Sequence, residues 1–278
     1  MRCTAWPKRP TYWQKGAIAY ASIPFTWGLP EVRTRIECDL FASKWVVGGP
    51  AVELMPRFFK GLSNVSVGGK MSGVLQRVNP EATRTSAGCP RQCGFCAVPR
   101  VEGRFRELDD WPDLPVICDN NLLAASREHF DRVIERLAGH EWCDFNQGLD
   151  ARFLTQAHAQ AIGGLKGAIV RLSLDSAGYA EAWVRAYSRL RAAGVAKARL
   201  RTYVLIGYRS GPAEAWARCE FVEKRGVKAL PQWFHPLNAM CPNGVTPLQR
   251  ALGWTESERK RIMGWFYQHR GKPLEARS

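Results

Sequence analysis

Ala82-Thr83-Arg84-Thr85-Ser86-Ala87-Gly88-Cys89-Pro90-Arg91-Gln92-Cys93-Gly94-Phe95-Cys96 decides how the rest of the chain reads. Residues 82–87 read as a strand, and that strand runs straight into three cysteines at C-x3-C-x2-C spacing. Three thiols so spaced fit on one tight loop. A tetrahedral structural zinc site needs a fourth ligand, and no His or Cys follows nearby at zinc-finger spacing. Three thiolates can instead hold a cubane cluster and leave one iron open to bind a cofactor or substrate and pass it an electron. A zinc knuckle or three unligated thiols is the plain alternative.

Downstream of the loop the chain alternates strand and helix. Further strand candidates are 115–119, 143–147, 168–175, 199–207 and 227–234, with helices between them. Helix 126–137 has Ser126 as its N-cap and places Phe130, Val133, Ile134 and Leu137 on one stripe. Helices 155–165, 179–193 and 212–224 follow, the last with Pro212 in its first turn. Gly163-Gly164, Gly194 and Gly226 stand where helices should stop. Six βα units in series predict an α/β fold: a parallel sheet curled into a partial (β/α)6 barrel, with its site at the C-terminal strand ends.

Upstream, the pattern gives a strand at 16–23, a helix at 29–44 starting near Pro30, a strand at 45–50 ending in a tight turn, and a Gly/Ser-rich loop at 60–73. The expected organisation is a small truncated Rossmann-like cap over 1–80, the partial barrel over 81–240, and a basic, aromatic helical extension over 241–278. Within that extension a helix at 256–269 carries Ile262, Met263, Trp265 and Phe266.

Composition narrows the class. The 278 residues are 46% hydrophobic and 23% charged, which excludes a disordered or fibrous chain. No run approaches the roughly eighteen apolar residues of a membrane span. The first ten residues lack an apolar signal segment, so a cytoplasmic protein is expected, without membrane association. Nine cysteines without a secretory signal argue against a disulfide framework. Cys3, Cys38, Cys118, Cys143, Cys219 and Cys241 are scattered and read as small buried hydrophobes. The formal charge is +15. Arg185 to Ser278 holds eighteen Lys/Arg against six Glu, so +12 of it lies in the last third. Such a surface either attracts nucleic acid or simply solubilises the protein.

The cysteine loop, with an aromatic residue just before its third cysteine, resembles the signature of the radical S-adenosylmethionine (SAM) enzymes. The following Ala97-Val98-Pro99-Arg100-Val101-Glu102-Gly103-Arg104-Phe105-Arg106 is similar to the cluster loop of the methylthiotransferases and of cobalamin-domain radical SAM enzymes. By strand order the resemblance spans about residues 82 to 240. It implies that Cys89, Cys93 and Cys96 ligate three irons of a 4Fe-4S cluster whose fourth iron chelates SAM, with Phe95 near the adenine. At the end of strand two the family carries a Gly-Gly-Glu-like segment for the methionine amine. Here it is Cys118-Asp119-Asn120-Asn121, where Asp119 or Asn120 is either that acceptor or a helix cap. Gln147, Asp150 and Arg152 at the end of strand three are pocket candidates, Gln147 and Asp150 for the cofactor and Arg152 for substrate. The alternative there is a turn in which Asp150 pairs with Arg152. Arg171, Ser173 and Asp175 share one face of strand four, and the resemblance makes Arg171 and Ser173 candidates for the ribose and carboxylate of SAM. Gly207 falls in the segment near the adenine, and His235 and Asn238 are substrate candidates.

The implied chemistry is reductive cleavage of SAM to methionine and a 5′-deoxyadenosyl radical that abstracts hydrogen from an unactivated C–H bond. An external electron donor of flavodoxin or ferredoxin type is implied. The N-terminal region holds Cys3 and Cys38 where methylthiotransferases have three further cluster cysteines. No Asp-x-His-x-x-Gly cobalamin motif occurs, although Gly48-Gly49-Pro50 echoes a segment of the cobalamin domain. Neither a second cluster nor cobalamin is expected. The substrate stays open between a nucleic-acid base or nucleotide and a peptide or small metabolite. A non-catalytic, metal-stabilised nucleic-acid binder is the reading from outside enzymology.

Overall fold

The computed structural model describes residues 8–68, 71 and 73–268. Cys3, His269 and the last residues of the expected C-terminal extension lie outside these. The chain divides into two compact units. One is built from Met1–Ala82, Arg91–Gly103 and His235–Pro242; the other from Thr83–Pro90, Arg104–Phe234 and Asn243–Ser278.

The first unit contains β1 (Thr11–Lys15), β2 (Ile18–Ser22), α1 (Leu29–Glu37), β3 (Lys44–Gly48), α2 (Pro50–Leu54), β4 (Val65–Val67), α3 (Val74–Val78) and the short α4 (Val98–Val101). Its sheet runs β1-β2-β3-β4. The β1–β2 pair is an antiparallel hairpin and the other two pairs are parallel. Ala19 and Ala21 of β2 alternate inward with Trp45 and Val47 of β3, and α1 adds Leu29, Val32 and Ile36 from one stripe. The helix expected over 29–44 ends at Glu37. Asp39 Oδ1 accepts the backbone N–H groups of Phe41 and Ala42, which diverts them from a helical ladder. The loop expected over 60–73 contains β4. Gly48-Gly49-Pro50 is the turn from β3 into α2. Gly49 has φ +98°, and a Cβ there would stand 2.8 Å from the backbone of Ile23, so the turn requires glycine.

The second unit is organised by a six-stranded sheet. Its strands are β5 (Ala82–Thr83), β8 (Val116–Ile117), β9 (Asp144–Leu149), β10 (Ile169–Leu174), β11 (Leu200–Ile206) and β12 (Lys228–Trp233). The two-residue strands β6 (Ser86–Ala87) and β7 (Arg106–Glu107) pair separately, antiparallel. Between the main strands lie α5 (Arg127–Ala138), α6 (Gln156–Gly163), α7 (Ala180–Ala192) and α8 (Pro212–Glu223); α9 (Pro247–Ala251) and α10 (Glu256–Gln268) follow. The order β12-β11-β10-β9-β8-β5 makes successive strands neighbours. The pairs from β8 to β12 are parallel. The fold is therefore α/β with a singly wound parallel sheet.

Alternation sorts the strand residues between two faces. Ile117, Phe145, Val170, Leu172, Leu174, Leu200, Val204, Ile206, Ala229 and Trp233 enter one apolar core with Phe130, Val133 and Leu137 of α5, Ile162 of α6, Trp183 and Leu190 of α7, and Cys219 and Val222 of α8. Each large side chain buried there contributes about 1.5–3 kcal/mol before entropy is charged. The opposite parity carries Cys118, Asp144, Arg171, Ser173 and Tyr203, a polar face. α10 packs on the edge strand β12, where Tyr267 Oη donates to the carbonyl of Pro231, so the free edge is covered.

Candidate functional site

The strand expected over 82–87 is broken in two, and the break builds the site. Asp119, just after β8, is buried and takes the Thr85 N–H out of the ladder. Its Oδ1 accepts from Thr85 N at 2.7 Å, and its Oδ2 accepts from the hydroxyls of Thr85 and Ser86, each at 2.6 Å. Burial pushes the Asp119 carboxyl above its usual range, and the three donors oppose that. The Thr85 hydroxyl proton goes to Asp119, so His129 Nε2, 3.2 Å from the same hydroxyl oxygen, carries a proton and donates it. His129 Nδ1 then accepts from Arg132 at 3.2 Å. Burial lowers the His129 pKa, in keeping with this neutral tautomer. The chain β6–Gly88–Cys89 is thus held on its β8 side by Asp119 and behind by α5. Two residues beyond Asp119, the Asn121 amide donates to Cys89 Sγ at 3.6 Å. Asn121 is 2% exposed, and its Oδ1 has no hydrogen-bond partner.

Further along the polar face, Arg171 of β10 pairs with Asp144 of β9, both buried. Asn146, Gln147 and Gly148 bulge out of β9 between the aligned pairs Val170↔Phe145 and Leu172↔Leu149. Gly148 has φ +92°, and a Cβ there would lie 3.3 Å from the Tyr203 ring. Tyr203 Oη donates to the Asn146 carbonyl at 2.8 Å, which fixes the bulge. Ser173 is half-buried and in register with Tyr203. The same bulge leaves the Gln147 side chain exposed.

At the C-terminal strand ends Asp150 and Arg152 form a two-toothed pair, 2.7 and 2.8 Å, and the Arg152 guanidinium lies over the Tyr179 ring. The Asp150–Arg152 pairing of the turn alternative is present. Asp175 stands beside them. Burial raises its pKa to about 6, with Arg152 and Arg218 pulling it down and Asp150 adding to the rise. Arg218 is buried on α8 and ties the strand ends together through the carbonyls of Asp175 and Leu205 and the Ser210 hydroxyl. Gly207 has φ +80°, and a Cβ there would meet the Trp233 ring at 2.6 Å. Gln249 bridges the ends of β11 and β12 by donating to the carbonyls of Gly207 and Phe234.

Cys93, Phe95 and Cys96 are half-buried and lie on the segment that belongs to the first unit, where Cys96 N donates to the Cys93 carbonyl. His235 belongs to that unit too, tilted against Trp27 with ring centroids 4.9 Å apart, and Asn238 is exposed. Asn120 is half-buried. Cys118, Cys143 and Cys219 are buried, their thiols pushed up to about 12 by burial, as expected of small apolar fillers. Cys38 and Cys241 correct that expectation: both are exposed, the first capping the end of α1 and the second on the loop beyond β12.

Among the described residues no three His, Cys, Asp or Glu side chains stand close enough to enclose a metal ion. What fits a cluster is the chemistry of the donors: three thiols within eight residues, one of them receiving an amide N–H, the bond a cluster thiolate accepts. Sequence reasoning missed Asn121, Thr85, His129 and Asp144. The polar run Asp119-Asn120-Asn121 held the signal for Asn121; the others depend on packing between elements. No described helix is long and apolar enough to cross a membrane. No protein-family model matches this chain, and no curated protein matches it.

Proposed function

We propose that this chain is a radical SAM enzyme whose sheet curls into a partial barrel and whose Cys89, Cys93 and Cys96 hold a 4Fe-4S cluster. One observation carries the reading. A C-x3-C-x2-C loop leaves the first strand of a singly wound parallel sheet whose polar face holds buried, hydrogen-bond-poor groups, among them Thr83 Oγ1 and Arg171 Nε. When bound, the cluster and SAM supply one-electron cleavage of the sulfonium to methionine and a 5′-deoxyadenosyl radical. The chain's own residues orient and shield. Asp119 fixes the approach to Cys89 through Thr85 and Ser86, so its task is holding that loop rather than accepting from an ammonium. Arg171 and Ser173, on the polar face, bind the carboxylate and ribose of SAM, while the buried Asp144 pairs with Arg171 and aims it. Asp150 and Arg152 hold each other, which leaves them as a rigid rim. The substrate is unassigned, and the electron donor is an external flavodoxin- or ferredoxin-type protein.

The test is anoxic reconstitution with iron and sulfide, followed by dithionite and SAM. About four irons per chain and release of methionine with 5′-deoxyadenosine support the reading. A chain that binds one zinc and no iron, or a fully loaded cluster that releases no 5′-deoxyadenosine, overturns it. Replacing all three cysteines by alanine abolishes both iron binding and SAM cleavage.

A further inference from the structure

The second unit has a basic edge remote from the C-terminal strand ends. Residues 182–213 contain seven Lys/Arg and no Asp or Glu. The structure gathers part of this run at the N-terminal ends of β11 and β12. Arg201 is in register with Lys228. Lys197 lies against Gly226, where an added Cβ would be 3.1 Å from its Cδ, and that brings Arg225 alongside. Arg199 ends the turn entering β11. Three guanidinium groups here are braced on carbonyls: Arg191 on Val195, Arg201 on Ala198 and Leu200, and Arg225 on Phe221 at 2.8 Å. Carbonyls hold a guanidinium in place without cancelling its charge. Among the described residues no carboxylate lies within ion-pair distance of Arg191, Lys197, Arg199 or Arg225. The neighbouring Glu220 is 3.7 Å from Lys224.

We propose that this edge binds the phosphate backbone of a folded, double-helical nucleic acid. Two observations choose that partner. Protein interfaces are anchored by aromatic and apolar side chains, and the exposed large hydrophobics, such as Tyr179, Met240, Leu248 and Leu252, are elsewhere in the sequence than this edge. Unpaired strands are held by bases stacked on exposed aromatic rings, whereas the rings beside Arg225, Tyr187 and Phe221, are half-buried, and the Arg225 guanidinium lies over the Phe221 ring. What it offers is fixed positive charge, which reads phosphates by position and not bases by sequence. The inference is independent of the iron–sulfur reading and fails or survives separately from it.

The test uses the full chain and fluorescence anisotropy with labelled RNA and DNA duplexes of about twenty base pairs over a salt series. The affinity falls steeply with salt for the duplex. Lys197→Glu with Arg199→Glu, both exposed, weakens it about tenfold or more at low salt and flattens the salt slope by about two. The milder Lys197→Gln with Arg199→Gln gives a smaller loss in the same direction. Arg127→Glu, on α5 and already paired with Asp131, changes binding little. Unchanged duplex affinity in both double variants, each shown folded by its melting curve, overturns the proposal. So does tighter binding of an unpaired strand of equal length, or equal binding of polyglutamate, which would point to an acidic protein partner.

Discussion

At the scale of single residues, the segment after β8 does two different jobs with neighbouring side chains. Asp119 is spent on Thr85 and Ser86, and Asn121 reaches Cys89 Sγ. An N–H···S bond stabilises the more reduced, more negative state of a cluster, so its loss lowers the potential. Asn121→Leu therefore lowers the midpoint potential of the reconstituted cluster by about 40 mV, the equivalent of a bond worth about 1 kcal/mol in a one-electron couple. Redox titration followed by electron paramagnetic resonance measures it. Equal potentials in the two proteins would remove the role from Asn121 while leaving the cluster in place. Asp175 makes a second prediction. Its folded pKa is about 6, above an unfolded value near 3.9. A raised carboxyl favours the fold fully below the unfolded pKa, and that contribution is lost as pH climbs through 6. Asp175→Asn should accordingly stabilise the protein at pH 8 by on the order of 2 kcal/mol and make no difference near pH 3.5. Urea titrations at the two pH values decide it, and a variant less stable than the parent at pH 8 would show that the ionised carboxylate is held favourably by Arg152 and Arg218.

At the scale of elements, Gly163 shows how a correct boundary can hide a different cause. The glycine pair reads as a helix stop, and α6 does end there, with Gly164 as its C-cap. Yet a Cβ at Gly163 would run into the Ala193 carbonyl oxygen, at the end of α7. The residue is small because two elements cross. Gly163→Ala should cost about 1–3 kcal/mol, against the gain of a few tenths to one expected for Gly→Ala in an open helix. Thermal melting gives the sign. The strands from β9 to β12 and helices α5 to α8 were legible because each has a run of core-facing apolar residues between clear stop signals. Thr155 even completes a capping box with His158. The less legible parts depend on distant partners. Thr11–Lys15 is polar and aromatic and becomes a strand only by pairing with β2. Residues 82–87 have strand composition throughout, but Asp119, more than thirty positions away, captures the Thr85 N–H. In the candidate site the cysteines were visible by spacing and the strand-four face by alternation. The Asp144–Arg171 pair was not, because it depends on the pairing of β9 with β10, which sets Asp144 opposite Ile169 and so diagonal to Arg171.

At the scale of the whole molecule, charge sets two opposing effects against each other. Exposed pairs such as Arg33–Glu37, Arg127–Asp131 and Arg261–Glu258 stabilise their own helices weakly, and added salt weakens them further. The net charge of +15 acts the other way, because mutual repulsion among uncompensated cations destabilises the compact state and added salt relieves it. Forty cations face twenty-five anions, so the acids are exhausted well before the bases, and the last third carries most of the surplus. Repulsion should dominate. Raising NaCl from about 50 to about 300 mM shortens the screening length from roughly 14 to 6 Å, and the melting temperature should rise by a few degrees. A melting temperature that falls with NaCl would mean that the helix-surface pairs outweigh the surplus. The basic edge at β11 and β12 would then be a locally balanced surface rather than the place where the surplus collects, and Lys197 and Arg199 could be reversed without relieving any strain. A rise that is steeper in the parent than in Lys197→Glu with Arg199→Glu locates a measurable share of the repulsion at that edge, which is the same charge a phosphate backbone would neutralise.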